Sequence, residues 1–290
     1  MSDFKSRLFV LLQKFLPRLT LTALVFRLTR IRTSSIKNFL IRQFVDHYKV
    51  NVEEVKHSVP EDFATFNDFF IRELVAGARQ IDAASASVVS PADGTVSAAG
   101  KIDKDRIFQA KGLHYTLTDL LATDIDDADK FIDGTFATIY LSPSDYHRVH
   151  SPLAGALVAA RYVPGDLFSV NEATVACLPN LFTRNERLIC HFTTDYGPLV
   201  VILVGALNVG SISTRWSGDL RPRIKGVVDD IDIARTGIST RLDKGDLIGW
   251  FNMGSTVIVL LPPGSCADLS ALASGTKVRM GQAIGNLQKA

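Results

Sequence analysis

Apolar side chains near the start of the chain recur at helical spacing. Phe4, Leu8, Leu11, Leu12 and Phe15 form one stripe, with Lys5, Arg7, Lys14 and Arg18 among the intervening positions. Pro17 breaks or kinks the stripe, because proline has no N–H for an interior helical turn. Leu21, Leu24, Val25, Leu28 and Ile31 resume it. Later, "SVPEDFATFNDFFIREL" puts Pro60 and Glu61 at an expected helix start, ahead of aromatic and apolar positions at helical spacing. Residues 1 to about 80 are therefore expected to be mostly helical. From Val88 the pattern changes. Short β-rich runs alternate with Gly, Pro and Asp turns, as in "VVSPADGTVSAAG", "GTFATIYLSP", "GPLVVILVGALNVGSIS" and "STVIVLLPPG". The pattern predicts an α+β protein, with N-terminal amphipathic helices packed on a mostly antiparallel β-sandwich or barrel-like body. The expected division is a helical region over 1–80 and a β-rich region over 81–290.

Composition is that of an ordinary globular chain: 290 residues, 47% hydrophobic and 21% charged. The charge is unevenly placed. Residues 1–50 hold ten Lys and Arg against two Asp and Glu, a net of +8. The other 240 residues hold 22 against 28, a net of −6. Basic amphipathic helices suit an anionic membrane surface. The competing reading is that the same stripe packs on the protein's own body. No stretch of about 18 uncharged apolar residues predicts a transmembrane helix. The N-terminus also lacks the small-residue cleavage site of a signal peptide. Cys177, Cys190 and Cys266 show no metal-ligand spacing and read as buried, reduced thiols.

A weak internal echo links "SPADGTVSAAG" at Ser90 and "SPLAGALVAAR" at Ser151, both Ser-Pro-x-x-Gly before a strand. Similar phrases occur in lipoyl-type sandwich domains, but a carrier needs a modifiable lysine at a hairpin tip, and none stands there. His147 and His150 lie three apart in "YLSPSDYHRVHSP", bracketed by Pro143 and Pro152. A metal pair is one reading and a short loop is the other. Asp93 in "SPADGTV" reads as a turn carboxylate, and Ser255 in "MGST" as a turn hydroxyl. Together Ser255, His150 and Asp93 supply the residue types of a Ser-His-Asp hydrolase. Against that, no G-x-S-x-G elbow is present, and "MGST" leads into a strand rather than a helix.

"TFNDFFIREL", "QAKGLHYTLTDLL", "SPADG", "YHRVHSP", "YVPGDLFSVN", "NLFTRNERL", "VGSI" and "MGST" follow one another in the order of the bacterial phosphatidylserine decarboxylases, which the chain resembles over most of its length. Met253 departs from the pattern, where Leu or Gly is usual. The resemblance implies a proenzyme that cuts itself between Gly254 and Ser255, leaving chains of 254 and 36 residues. It implies that His150 activates Ser255 as general base, that Asp93 orients His150, and that Ser255 becomes a pyruvoyl group. This group, the implied cofactor, takes up the amine of phosphatidylserine and receives the electrons released with CO2. By the same resemblance His147 reprotonates the α-carbon, while Ser169, Val170 and Asn171 contact the substrate phosphate or carboxylate. The expected partners are phosphatidylserine in a membrane, the two chains of one precursor, and a second copy in a dimer. No metal and no nucleic acid are expected, and the location is peripheral, on the cytoplasmic face of the cell membrane.

Overall fold

The computed structural model describes residues 3–122, 128–207, 211–220, 227–266 and 268–288. The long helices are N-terminal: α1 (Asp3–Phe15), α2 (Arg18–Leu28) and α3 (Ser34–Tyr48), followed by the short α4 (Phe66–Phe70). α1 and α2 break at Pro17 and meet at 83°, and no single described helix is long and apolar enough to cross a membrane. The apolar stripe of α1 faces outward: Phe4 is 75% exposed, Leu12 57% and Phe15 80%. The inward face carries Ser6, Val10 and Gln13 instead. Packing of the stripe on the body is thus not what the fold shows.

The helix expected from Pro60 begins later. Residues 58–65 form turns, and α4 starts where the Thr65 hydroxyl accepts the Asp68 N–H at 3.1 Å. That cap satisfies a donor the first turn would leave open. The helix is short because Phe66, Phe69 and Phe70 all turn into a second hydrophobic cluster with Ile41, Val50, Val55 and Phe63. Phe44 of α3 closes it, edge-on to Phe66 at 5.2 Å. Much of 49–86 is accordingly loop and turn, shorter in helix than periodicity alone predicts.

The strands that position the site are β1 (Gly94–Lys101), β2 (Thr135–Leu141), β3 (Arg148–His150), β4 (Gly155–Val163), β5 (Arg187–Thr194), β6 (Gly197–Gly205), β7 (Ile212–Thr214), β8 (Leu247–Phe251) and β9 (Ser255–Leu261). The main sheet is antiparallel, in the order β4-β5-β6-β9-β2-β1, with two-residue strands at its edges. It stays open, so the barrel-like alternative does not hold and the sandwich-like α+β reading does. β9 is its centre. All seven of its residues are buried, and it pairs with β2 on one side and β6 on the other. A continuous run such as "TVIVLL" is stable there because each fully buried Val, Ile or Leu contributes about 1.5 to 3 kcal/mol. A smaller sheet joins β7, β8 and β3. The chain passes from β8 of this small sheet to β9 of the large one through three residues, Asn252, Met253 and Gly254.

Candidate active site

Ser255 opens β9, with Leu141 of β2 and Gly205 of β6 as its cross-strand partners. Its Oγ is buried and has no hydrogen-bond partner. A buried hydroxyl left unsatisfied costs about 1 to 3 kcal/mol, so a group placed this way calls for an explanation. The residue two before it is also unusual. Met253 holds φ +114°, a region L side chains avoid, at a cost of about 1 to 3 kcal/mol. The strain therefore sits on Met253 and not on Gly254, the residue that precedes the expected cut. A Cβ on Gly254 would meet nothing within 4 Å.

His150 ends β3. Its Nδ1 lies 2.7 Å from the Gly245 carbonyl and its Nε2 3.1 Å from the Tyr146 hydroxyl. A carbonyl can only accept, so Nδ1 carries the proton and Nε2 the lone pair. Burial, partly countered by that carbonyl, pushes the imidazole below its usual range. The Tyr146 ring stacks beside it at 5.7 Å, and burial holds the phenol up at about 12.

Asp93 precedes β1. A Cβ on Gly94 would come 2.4 Å from the Tyr140 carbonyl, so glycine is what lets this end of β1 press on β2 and fixes the carboxylate beside it. The Asp93 carboxylate receives a two-pronged contact from Arg79, with Nε at 2.8 Å, and the Met280 N–H at 2.9 Å. Arg79 also donates to Glu54 at 2.9 Å. Burial opposes its charge, but the bonds to Asp93 and Glu54 hold the guanidinium above its ordinary range. The expected Asp93–His150 hydrogen bond is thus replaced: Gly245 orients the imidazole, and the planar guanidinium fork claims the carboxylate. Asp93 still acts on His150 through space, favouring its protonated form.

His147 is fully buried, with its ring 4.1 Å from that of Phe70. Nδ1 lies 2.8 Å from the Asp145 carbonyl, and Nε2 has no partner. Burial first, and the Arg72 guanidinium second, push the imidazole down to about 3. Arg72 is itself lowered to about 10 by burial, and it donates to the carbonyls of Ser144 and Asp145. His147 is therefore neutral, with a bare Nε2.

The loop of Ser169, Val170 and Asn171 has other duties in this structure. The Ser169 N–H donates to Gln13 of α1 at 2.9 Å, and the Asn171 N–H to the Ser169 hydroxyl at 3.3 Å. The Asn171 side chain caps the short helix Glu172–Val175. Both backbone donors are thus occupied in this structure, the Ser169 N–H by α1 and the Asn171 N–H within the loop itself, rather than free for the expected phosphate or carboxylate. Val170 lines a cavity of about 410 Å³ with Tyr140 and Lys111. A second cavity, about 480 Å³, is bordered by Arg79, Tyr146, Arg148 and Met280, next to the histidine and aspartate. Among the described residues no group of three or more His, Cys, Asp or Glu is placed to hold a metal. Sequence reasoning missed Arg79, Gly245 and Tyr146. Tyr146 lay inside "YHRVHSP" and was within reach, but nothing local marks Arg79 or Gly245.

Fold and site together define a class: an α+β enzyme whose candidate nucleophile is walled into its own central strand. A sequence model described as phosphatidylserine decarboxylase matches residues 66–286, and one described as PSD matches residues 8–49. The chain is 44% identical over 286 residues to a phosphatidylserine decarboxylase proenzyme of Saccharophagus degradans, covering 98% of this chain and 99% of the relative. It is 45% identical to the proenzyme of Methylococcus capsulatus, covering 99% of both chains. For that of Chromobacterium violaceum the figure is 47%, over 97% of this chain and 99% of the relative. The chain belongs to the phosphatidylserine decarboxylase family.

Proposed function

We propose that the chain is a proenzyme that cuts itself between Gly254 and Ser255 and then decarboxylates phosphatidylserine with a pyruvoyl group made from Ser255. The observation that carries the reading is the Ser255 hydroxyl, buried and unbonded at the head of β9, two residues after a strained one. In the uncut chain this buried hydroxyl is closed to an outside ester, but the Gly254 carbonyl belongs to the adjoining peptide unit, and the proposed cut is what opens the position to substrate. A Ser-His-Asp hydrolase acting on outside esters is therefore disfavoured.

In the proposed maturation Ser255 Oγ attacks the Gly254 carbonyl, and His150 is the base once its Nε2 lone pair, which meets the Tyr146 hydroxyl at 3.1 Å in the uncut chain, turns to the unpartnered Ser255 hydroxyl. The acyl group moves from nitrogen to oxygen. Loss of the Ser255 α-proton then expels the Gly254 carboxylate, and hydrolysis of the resulting dehydroalanine releases ammonia. Asp93 supports the imidazolium by charge, with Arg79 fixing where that charge sits. A small carbonyl group fits the position of the orphan hydroxyl. When formed, it supplies an electron-poor carbonyl that takes up the substrate amine and accepts the electron pair released with CO2.

The proposed role of His147 is to return a proton to the substrate α-carbon. Its bare Nε2 must first take one up, and the apolar setting beside Phe70 makes that imidazolium a strong acid. The outward stripe of α1 and α2, with the basic first fifty residues, supports peripheral attachment to the anionic surface that holds this substrate. Intact mass of the purified protein tests the reading. A 36-residue fragment, blocked by a pyruvoyl group, is expected. Ser255→Ala and His150→Ala should leave one chain of 290 residues, whereas His147→Ala should still be cut and lose decarboxylation. A wild-type chain that stays whole would refute the proposal.

A further inference from the structure

The three-residue passage from β8 to β9 is gripped from both sides. Downstream, Ser255 is locked into the sheet. Upstream, Asn252 is 1% exposed, and every polar atom of its amide is engaged. Its Nδ2 donates to the Ser211 hydroxyl at 2.8 Å, the Ser213 hydroxyl at 2.7 Å, the Ser211 carbonyl at 3.2 Å and Asp219 at 3.4 Å. Its Oδ1 accepts from Asn67 Nδ2 at 3.0 Å, across 185 residues of sequence. The orientation is forced. A carbonyl and a carboxylate only accept, so the NH2 must face Ser211 and Asp219, and Oδ1 must face α4. Asn67 is tied in turn to the helical front, where its N–H donates to the Thr29 carbonyl at 2.9 Å. Arg30 meets Asp219 at 3.5 Å. Met253, the strained residue between these anchors, packs its side chain against the cluster of α3 and α4.

Strained backbone persists only where its surroundings over-determine it. A residue at φ +114° relaxes unless its neighbours are held. We infer that Asn252 and Asn67 are a pair of positioning residues for self-cleavage: together with the seat of Met253, they hold the Gly254 carbonyl in front of the Ser255 hydroxyl. Neither touches the reacting atoms. The pair makes the cutting geometry depend on the docking of the helical front, whose α2 end anchors it at Thr29 and Arg30. The inference rests on self-cleavage after Gly254.

The test is the first-order rate of self-cleavage of the full chain, synthesised in a cell-free system and followed on denaturing gels. Asn67→Leu and Asn252→Leu keep the size of the side chain and remove the bond. Each should slow cutting by about ten- to a hundredfold, the scale expected for a small misplacement of reacting groups. The double variant should be no slower than the slower single, because the two act as one unit. The same substitutions in a Ser255→Ala chain, which is not cut, report stability through urea midpoints. A role in folding alone would lower those midpoints and leave the cutting rate of the folded fraction unchanged, and that would overturn the inference. So would slow-downs that multiply in the double variant. Should either leucine variant fail to fold, the isosteric Asn67→Asp replaces the donor that faces Asn252 Oδ1 with an acceptor, and cutting at the wild-type rate there would overturn it equally. A wild-type chain with no cut after Gly254 overturns both the inference and the reading beneath it, whereas cut wild type with unaffected variants sinks the pair alone.

Discussion

At the scale of single residues, the candidate site leaves some groups unsatisfied and over-binds others. Ser255 Oγ and His147 Nε2 have no partners, while Asp93 receives Arg79 and Met280 together. His147 carries a stability consequence. Its folded-state pKa, near 3, lies below the unfolded value of 6.5. The unfolded chain thus takes up this proton first as pH falls. The neutral imidazole costs nothing above about pH 6.5, and below it stability should drop by up to about 1.4 kcal/mol per pH unit until pH nears 3. In urea titrations of the uncut Ser255→Ala chain, His147→Gln should flatten that slope between pH 6 and 4. An unchanged slope would mean the histidine is protonated in the folded state. Arg79→Gln should destabilise the same chain by about 3 kcal/mol or more, because it strands a buried carboxylate. The same urea titration at pH 7 measures it, and a loss under 1 kcal/mol would show Asp93 to be solvated.

At the scale of elements, β9 both presents the serine and retains it. It pairs with β2 along its whole length and with β6 from Ser255 to Leu260. The proposed cut falls at the end of this strand and removes only the Ser255 N–H, which leaves as ammonia, so the pairing of Thr256–Leu261 stays intact. The two chains should therefore elute together in gel filtration and separate only in denaturant. A free small chain in native buffer would contradict the register. Leu260→Ala, fully buried in this strand, should lower stability by about 2 to 5 kcal/mol, read as a shifted urea midpoint. The short α4 has the opposite character. Its pattern promised a longer helix, but three phenylalanines and an asparagine each had a tertiary destination, and the helix stops where they are satisfied.

At the scale of the whole molecule, the N-terminal helices face two ways. Gln13 and Arg18 bind the 166–174 segment, with Arg18 Nη2 at 2.8 Å from Asp166, while Phe4, Leu12 and Phe15 point outward. Replacing these three apolar residues with serine should leave the fold intact and lower co-sedimentation with anionic vesicles several-fold at low salt, as lost apolar burial predicts. Undiminished sedimentation would assign the stripe another partner. The binding should weaken with added salt, because the basic residues of this segment act through a screened field.

Much of this was legible in the chain itself. The apolar stripe of α1, the break at Pro17, the strand behind "MGST" and the family motifs follow from period, proline chemistry and residue order, which are local properties, whereas the outward direction of the stripe was decided by the fold. The candidate site residues Asp93, His147, His150 and Ser255 were picked out through those motifs, which residue order alone carries. Their partners were not. Whether Asp93 meets His150 or Arg79 depends on which donors converge on one point from distant segments, and a guanidinium fork outcompetes a single ring nitrogen there. The strain at Met253 and the Asn67–Asn252 contact likewise arise only when β8, β9 and α4 are brought together. Period and composition set which elements form and which face is apolar. Tertiary packing set the hydrogen-bond partners, because in a closed interior each polar group must take the neighbour that the fold supplies.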